Sequence, residues 1–258
     1  MNNFYQIFFP FILGSCIGSF INVVAWRLPR DESIIIPRSN CPKCKKQLKW
    51  YENIPLFSWL VLKARCHYCY SEISIKYPLV EFLCGVLFVT CNFSSPTFYT
   101  NAPSQYIDIG GYILVLFLLT ISVIDIYHLW IPRILCKGGV IFGILFNVFI
   151  SLVSENNLIL ILNSIISTVL GYLLFELLRK IARYIYKKPA LGHGDSMLSA
   201  LIGSWLGMKG LGLSLILTFL IAGIFAFLGL LSKKIKKGDS MPLGPFLSLG
   251  CIFIWIFG

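Results

Sequence analysis

Long apolar runs constrain this chain more than any other feature. They fall at residues 4–26, 78–93, 109–124, 131–153, 158–178, 197–206, 211–231 and 243–257. A hydrocarbon core about 30 Å thick takes ~20 residues of apolar helix. Backbone at that depth must satisfy its own hydrogen bonds, so helices are the natural reading of such runs. Composition agrees. The chain is 57% hydrophobic and 13% charged, where soluble domains carry about 25% charged residues, and its mean hydropathy is +0.80. The expected fold is an all-α polytopic membrane protein with about eight transmembrane helices. No basic residue precedes the first run and no small-residue cleavage site follows it, so it reads as a retained helix.

Net charge is +11 over 258 residues. In a soluble protein that excess would raise nucleic acid as a partner. Here the eight-span topology explains it. All but one of the 22 Lys and Arg fall on one face: those of the segment Arg27–Lys76, Arg133 and Lys137, the run Arg179–Lys188 and the patch Lys233–Lys237. Lys209 is the exception. Cytoplasmic loops carry the Lys/Arg excess, so that face is assigned to the cytoplasm and both termini to the other side. The partner is the bilayer, and no nucleic acid is called for. One strain remains. Met197–Leu231 gives about 52 Å of helix at ~1.5 Å per residue, short for two full crossings. A turn is expected near Gly207, Gly210 and Gly212.

Ionisable groups are expensive at membrane depth and read as functional by default, and the chain has only 11 acidic residues. Asp125 closes the third run in Ile124-Asp125-Ile126-Tyr127-His128-Leu129-Trp130-Ile131-Pro132. Asp195 opens the sixth in Leu191-Gly192-His193-Gly194-Asp195-Ser196. Two crossings separate them, so both lie on the cytoplasmic face and can meet. Two adjacent carboxylates share one proton, and one can then activate water while the other polarises a carbonyl. Gly192 and Gly194 are expected to shape the backbone there, by unusual torsions and by close approach to a peptide. The same aspartates also fit helix-terminal carboxylates in interfacial water, or a carboxylate-coupled transporter. Glu81 and Glu176 lie near other membrane ends. The first is placed to snorkel or to touch substrate, and the second to pair with Arg179 or Lys180. Asn22 fits either a helix–helix bond or a substrate contact.

The one long polar segment, residues 27–77, carries Cys41-Pro-Lys-Cys44 and Cys66-His-Tyr-Cys69. Paired C-x-x-C elements give four thiolates tetrahedral access to one Zn²⁺, with no position left for water, so the site reads as structural. His67 is a further candidate ligand, and redox or free thiols are the other readings. A segment this short gains stability from the metal. The remaining cysteines, Cys16, Cys84, Cys91, Cys136 and Cys251, sit in or beside apolar runs and read as small buried apolar residues. The expected division is a first helix at 1–26, a cytoplasmic zinc-binding segment at 27–77 and a transmembrane catalytic domain at 78–258. Gly14, Ser15, Gly18 and Ser19 form a small-residue stripe on the first helix suited to close packing.

These residues resemble a known family over nearly the whole chain. Gly18-Ser19-Phe20-Ile21-Asn22-Val23-Val24 with Arg27-Leu28-Pro29 comes first. The cysteine pairs follow, enclosing Glu52-Asn53-Ile54-Pro55-Leu56-Phe57-Ser58-Trp59-Leu60. Next come Ile73-Ser74-Ile75-Lys76-Tyr77-Pro78-Leu79-Val80-Glu81, then Asp125 with Ile131-Pro132, then Gly192-His193-Gly194-Asp195, and last Pro242-Leu243-Gly244-Pro245-Phe246-Leu247. Each motif alone is weak; six in order resemble the type IV prepilin peptidases, bifunctional leader peptidases and N-methyltransferases. The resemblance implies an aspartic endopeptidase of the bacterial cytoplasmic membrane, with Asp125 and Asp195 catalytic. Its substrates would be prepilins or pseudopilins, cut on the cytoplasmic side. The new N-terminus would be methylated with S-adenosylmethionine, by residues the sequence does not identify.

Three positions depart from the family. Met197 stands where a lysine is usual two residues after the second aspartate, so its role is absent or falls to another residue such as Lys187 or Lys188. Ala64 replaces a common glycine, and Arg133 a frequent Asp or Asn. None removes a ligand or a catalytic carboxylate. A peptidase without methyltransferase activity, a carboxylate-coupled transporter and a non-catalytic zinc-bearing scaffold are the alternatives. Nothing in the sequence speaks to oligomeric state.

Overall fold

The structure, a computed structural model, describes residues 2–94, 96–99, 102–154, 158–187, 192–233 and 241–258. Leu191, Lys188 and most of the last basic patch (Lys234, Lys236 and Lys237) lie outside them. Among the described residues the regular structure is helical, apart from two isolated β-bridges. The chain divides into two compact units, Met1–Phe93 and Ser94–Gly258. By contacts, then, the first helix and the cysteine segment group with residues up to 93.

The first unit contains α1 (Asn2–Arg27), the cysteine segment with the short α2 (Phe57–Val61), and α3 (Lys76–Cys91). The small-residue stripe packs α1 on α3 as the sequence suggests. A Cβ on Gly14 would stand 2.7 Å from the Cys84 carbonyl oxygen, and one on Gly18 2.7 Å from Glu81 Cα. On the facing side, a Cβ on Gly85 would meet Ser15 Oγ at 2.7 Å. Such contact lets dispersion act along both backbones, the force left to helices in lipid. Asn22 Nδ2 donates to the Tyr77 carbonyl at 3.0 Å, which is the helix–helix bond among its two readings.

The second unit contains α4 (Ser104–His128), α5 (Arg133–Val153), α6 (Leu158–Tyr186), α7 (His193–Leu231) and α8 (Gly244–Phe257). Leu114, Leu118, Ile121 and Ile124 recur at helical spacing and are almost wholly buried, so α4 forms the centre. Leu145, Leu152, Leu162, Ile166, Val169 and Leu173 on α5 and α6 are exposed. In water such a surface would be untenable; in a bilayer it is the lipid face. Five helices are long and apolar enough to cross a membrane, and α8 is a shorter apolar helix. The chain is a multi-pass membrane protein. Cys84, Cys91, Cys136 and Cys251 are buried as expected, whereas Cys16 is exposed, on a helix whose apolar side chains also face outward.

The turn expected between Met197 and Leu231 is a break at Gly207, with φ 65° and ψ −172°. A side chain would be strained in this conformation. Gly210 and Gly212 remain helical. The break divides α7 into two apolar stretches. A helix interrupted at this depth must find partners for the freed backbone. Ser167 Oγ donates to the Gly203 carbonyl at 2.8 Å. Ser164 Oγ and Asn147 Nδ2 donate to the Ser204 carbonyl at 2.7 and 2.9 Å. Tyr99 donates to the Trp205 carbonyl at 2.6 Å, and the Met208 amide donates to Asn163 Oδ1 at 3.1 Å. Asn147 on α5 and Asn163, Ser164 and Ser167 on α6 therefore serve the break.

Candidate active site and metal centre

Asp125 lies in the last turn of α4, where the helix's own dipole disfavours negative charge. A capping carboxylate would be placed at the other end. Leu129 closes the turn in the left-handed conformation, its amide donating to the Asp125 carbonyl at 2.9 Å. The compensation comes from α8. Its first residue, Gly244, donates its amide to Asp125 Oδ2 at 2.9 Å, with Pro245 preset in the first turn. The positive end of α8 thus faces a buried carboxylate that is only 5% exposed.

Asp195 lies in the first turn of α7 and is 8% exposed. Its Oδ2 accepts the Gly192 amide at 3.0 Å, closing the helix start on itself. Asp195 thus lies in the first turn of its own helix and Asp125 faces the first turn of α8, each held through Oδ2 by one main-chain N–H. Among the described residues, neither Oδ1 carries a hydrogen bond. The two carboxylates are near enough for Asp125 to act electrostatically on Asp195. No Lys or Arg among the described residues forms an ion pair with either. Lys187, a candidate for the missing lysine, is not within salt-bridge distance of the dyad.

The glycines depart from the torsional part of the expectation. Gly192 has φ −77° and ψ 152°, Gly194 is helical, and Gly207 is the one described glycine with positive φ. Unusual torsion is therefore not their role. Gly194 is required by space, since a Cβ there would stand 2.5 Å from Ile131 Cβ. That contact seats the start of α7 on the Ile131-Pro132 turn after Asp125. Gly192 is a capping residue with ordinary extended backbone.

Sequence reading missed Gly244 as a site residue. A Cβ there would stand 2.7 Å from Asp125 Oδ2, so only glycine lets the α8 amide reach the carboxylate. The Pro-x-Gly-Pro run was the available signal. The acid Glu176 pairs with Arg179 at 2.6 Å, as expected of it, and also with His193 Nδ1 at 2.8 Å. This half-buried cluster ties α6 to the first residue of α7, two positions before Asp195.

In the first unit the four cysteine sulfurs all lie within 4.8 Å of one another. Cys41 Sγ and Cys69 Sγ are 3.8 Å apart. A tetrahedron with metal–sulfur bonds of about 2.3 Å has edges of about 3.8 Å, so the donor set fits Zn²⁺. Two similar turns build it. In the first, Cys41 donates its amide to the Lys46 carbonyl and accepts the Lys45 amide, with Lys45 left-handed. In the second, Cys66 pairs with Ser71 and Tyr70 in the same way, with Tyr70 left-handed. A β-bridge flanks each turn, Asn40 with Gln47 and Arg65 with Glu72. The first cysteine of each pair is buried and the second exposed. The Ser71 hydroxyl, 3.2 Å from Cys69 Sγ, together with the Ser71 main chain, pulls that thiol down to about 6, towards the ligating thiolate. His67 is not part of the cluster.

Residues 12–94 match the bacterial peptidase A24 N-terminal domain, and residues 112–227 match the type IV leader peptidase family. A "Type 4 prepilin-like proteins leader peptide-processing enzyme" of Escherichia coli is 35% identical over 259 residues, covering 93% of this chain and 89% of that one. The chain belongs to the type IV leader peptidase family. A "Prepilin leader peptidase/N-methyltransferase" of Pectobacterium carotovorum is 32% identical, covering 94% of this chain and 90% of that one. One of the same name from Myxococcus xanthus is 37% identical over 203 residues, 79% of this chain, although the match spans only 57% of that protein's length. No solved structure matches the chain. The first match ends at the boundary between the two compact units and contains all four cysteines. The second contains both aspartates, while Gly244 lies beyond either match.

Proposed function

We propose that this family member is a multi-pass aspartic endopeptidase of the bacterial inner membrane that removes the leader of prepilin-like proteins and N-methylates the new terminus. The observation that carries the reading is the buried aspartate pair, each member anchored by one main-chain N–H at a helix start. Membership of the leader peptidase family decides for this chemistry over a carboxylate-coupled transporter.

The anchored Oδ2 atoms fix the carboxylates, and the Oδ1 atoms are left for water and substrate. One aspartate takes a proton from water, whose oxygen attacks the scissile carbonyl carbon. The other, protonated, donates to the carbonyl oxygen as the carbon becomes tetrahedral. Collapse breaks the C–N bond, and the amine leaves with a proton from the dyad. The pair returns to its singly protonated form, so its titration belongs to the pair. A prepilin is an apolar helix with a basic leader, and its cut site lies at the membrane edge. The Lys/Arg excess expected on that side supports a cytoplasmic position for that edge and for the dyad.

Zn²⁺ held by Cys41, Cys44, Cys66 and Cys69 would cross-link the loops of the first unit. With four thiolates the site is closed, and its contribution is structural. S-adenosylmethionine, when bound, supplies an electrophilic methyl group for the new amine. Retention of all four cysteines supports a chain that keeps the methyltransferase activity.

The test is mass spectrometry of a prepilin-type substrate treated with the protein in liposomes, with S-adenosylmethionine present. Wild type should yield the shortened product carrying one added methyl, and folded Asp125→Asn and Asp195→Asn should yield neither. Cleavage by both variants at the wild-type rate would refute the mechanism.

A further inference from the structure

A reacting carboxylate has to be held to within about 0.5 Å, and Asp195 stands where that is difficult. It is in the first turn of α7. The N–H groups of a first turn have no partners within their own helix, and helix ends fray. Two ties act on this turn. The Gly192 amide bonds Asp195 Oδ2, and Gly194 seats against Ile131. Neither reaches α6, although α6 and α7 pack closely further along: a Cβ on Gly171 of α6 would stand 2.7 Å from the Ser199 carbonyl oxygen of α7.

His193, the first residue of α7, makes the tie to α6. Its Nδ1 lies 2.8 Å from Glu176 Oε1. An ionised carboxylate only accepts, so Nδ1 carries the hydrogen and donates. The other oxygen of Glu176, Oε2, accepts from Arg179 Nη2 at 2.6 Å and from Arg179 Nε at 3.2 Å. With both oxygens engaged and its side chain only 13% exposed, Glu176 is a fixed anchor rather than a mobile surface acid. Tyr172, one turn before Glu176 on α6, meets the imidazole edge to face, the ring centroids 6.0 Å apart. The buried Ser196 hydroxyl lies near the same carboxylate without being bonded to it. Residues 193 and 196 share a face of α7 at helical spacing, so the face that flanks Asp195 is the one turned to Glu176. Met197, one turn on from His193, has neither a charge nor a side-chain N–H with which to make such a tie.

We infer that His193 and Glu176 are positioning residues for Asp195: their bond clamps the first turn of α7 to α6 and so fixes the carboxylate two residues later. The inference rests on the dyad reading and adds the means by which one member of the pair is held. Arg179 acts through Glu176, by holding its carboxylate in place. Neither His193 nor Glu176 is asked to touch substrate, so the clamp serves the rate of the chemical step and not the binding of the prepilin.

The experiment is steady-state cleavage of a prepilin-type substrate by the full-length protein in liposomes, with thermal unfolding in detergent to confirm that each variant is folded. A displacement of about 1 Å can cost ~100-fold in rate, so a partial release in His193→Leu, which keeps bulk and loses the donor, should lower kcat by about tenfold or more. KM should stay within about twofold, the pattern of a contact that matters only in the transition state. His193→Asn places an amide N–H near the position of Nδ1 and should restore kcat to within about threefold of wild type. Glu176→Ala removes the acceptor from the α6 side and should match His193→Leu; it decides the same question if His193→Leu does not fold. The double variant should be no slower than either single one, because the second change finds the bond already gone. A folded His193→Leu or Glu176→Ala protein with kcat within about twofold of wild type would overturn the assignment. So would a loss confined to KM, a His193→Asn protein as slow as His193→Leu, or losses that multiply in the double variant. Asp195→Asn runs alongside. If it cleaves as wild type does, the dyad reading fails and this inference with it; if it is dead while His193→Leu cleaves normally, only the inference falls.

Discussion

Gly244→Ala is the sharpest perturbation of the dyad that leaves both carboxylates in the sequence. The added Cβ would stand 2.7 Å from Asp125 Oδ2, 3.2 Å from Cγ and 3.3 Å from Cβ. Contacts below 3.0 Å do not persist, so the carboxylate or the start of α8 must shift by several tenths of an ångström. Either shift removes the 2.9 Å bond from the Gly244 amide. A hydrogen bond to a charged group contributes about 1.5–3 kcal/mol, and each 1.4 kcal/mol is about tenfold in rate. If that bond orients Asp125 for catalysis, kcat/KM for leader cleavage should fall about 10- to 150-fold. Gly192→Ala is the matched control. Its Cβ would stand 3.3 Å from Asp195 Oδ2, a contact a small relaxation absorbs, and cleavage should fall by about threefold at most. The assay is initial-rate cleavage of a prepilin-type substrate in liposomes, with thermal unfolding in detergent to confirm folding. A folded Gly244→Ala protein that cleaves within twofold of wild type would refute the idea that α8 holds Asp125.

Two further predictions concern the scaffold. Elemental analysis should find one zinc per chain in wild type and about a tenth of that or less in Cys41→Ser, because four thiolates close the site. Loss in Cys251→Ala instead would contradict the cluster, since Cys251 is buried in the other unit. Gly207→Ala should destabilise the chain by ~1–3 kcal/mol, as a Cβ there is strained and meets the Asn163 amide. An unchanged thermal midpoint in detergent would show that the break tolerates a side chain.

What was legible in the sequence was what local chemistry encodes. The cysteine pairs announce their cluster because the C-x-x-C turn brings two thiols together within four residues. Asp125 and Asp195 stand out because carboxylates are rare beside apolar runs, and Gly14 and Gly18 because small residues at helical spacing have one main use in lipid. The helix break was legible as a length deficit, but Gly207 could not be singled out from Gly210 and Gly212 before its partners in α5 and α6 were known. Gly244 was illegible for a related reason. It meets Asp125 across 119 residues, and nothing in either neighbourhood records the contact. At Gly192 and Gly194 residue type suggested torsional freedom and close approach; the torsions are ordinary, and the fold uses small size at Gly194 and a cap at Gly192. Glu176 was legible only in part, since Arg179 lies one turn away on the same helix while His193 reaches it from the next.

The central claim is that Asp125 and Asp195 act as one unit. The direct test compares Asp125→Asn, Asp195→Asn and the double variant under single-turnover conditions, each confirmed as folded. Carboxylates that share one proton and one water lose their function together, so either single change should cost as much as both. Equal residual rates in all three proteins, at the limit of detection, are the predicted result. Losses that add, with measurable cleavage left in one single variant, would contradict a shared site and return the second aspartate to the role of a helix cap.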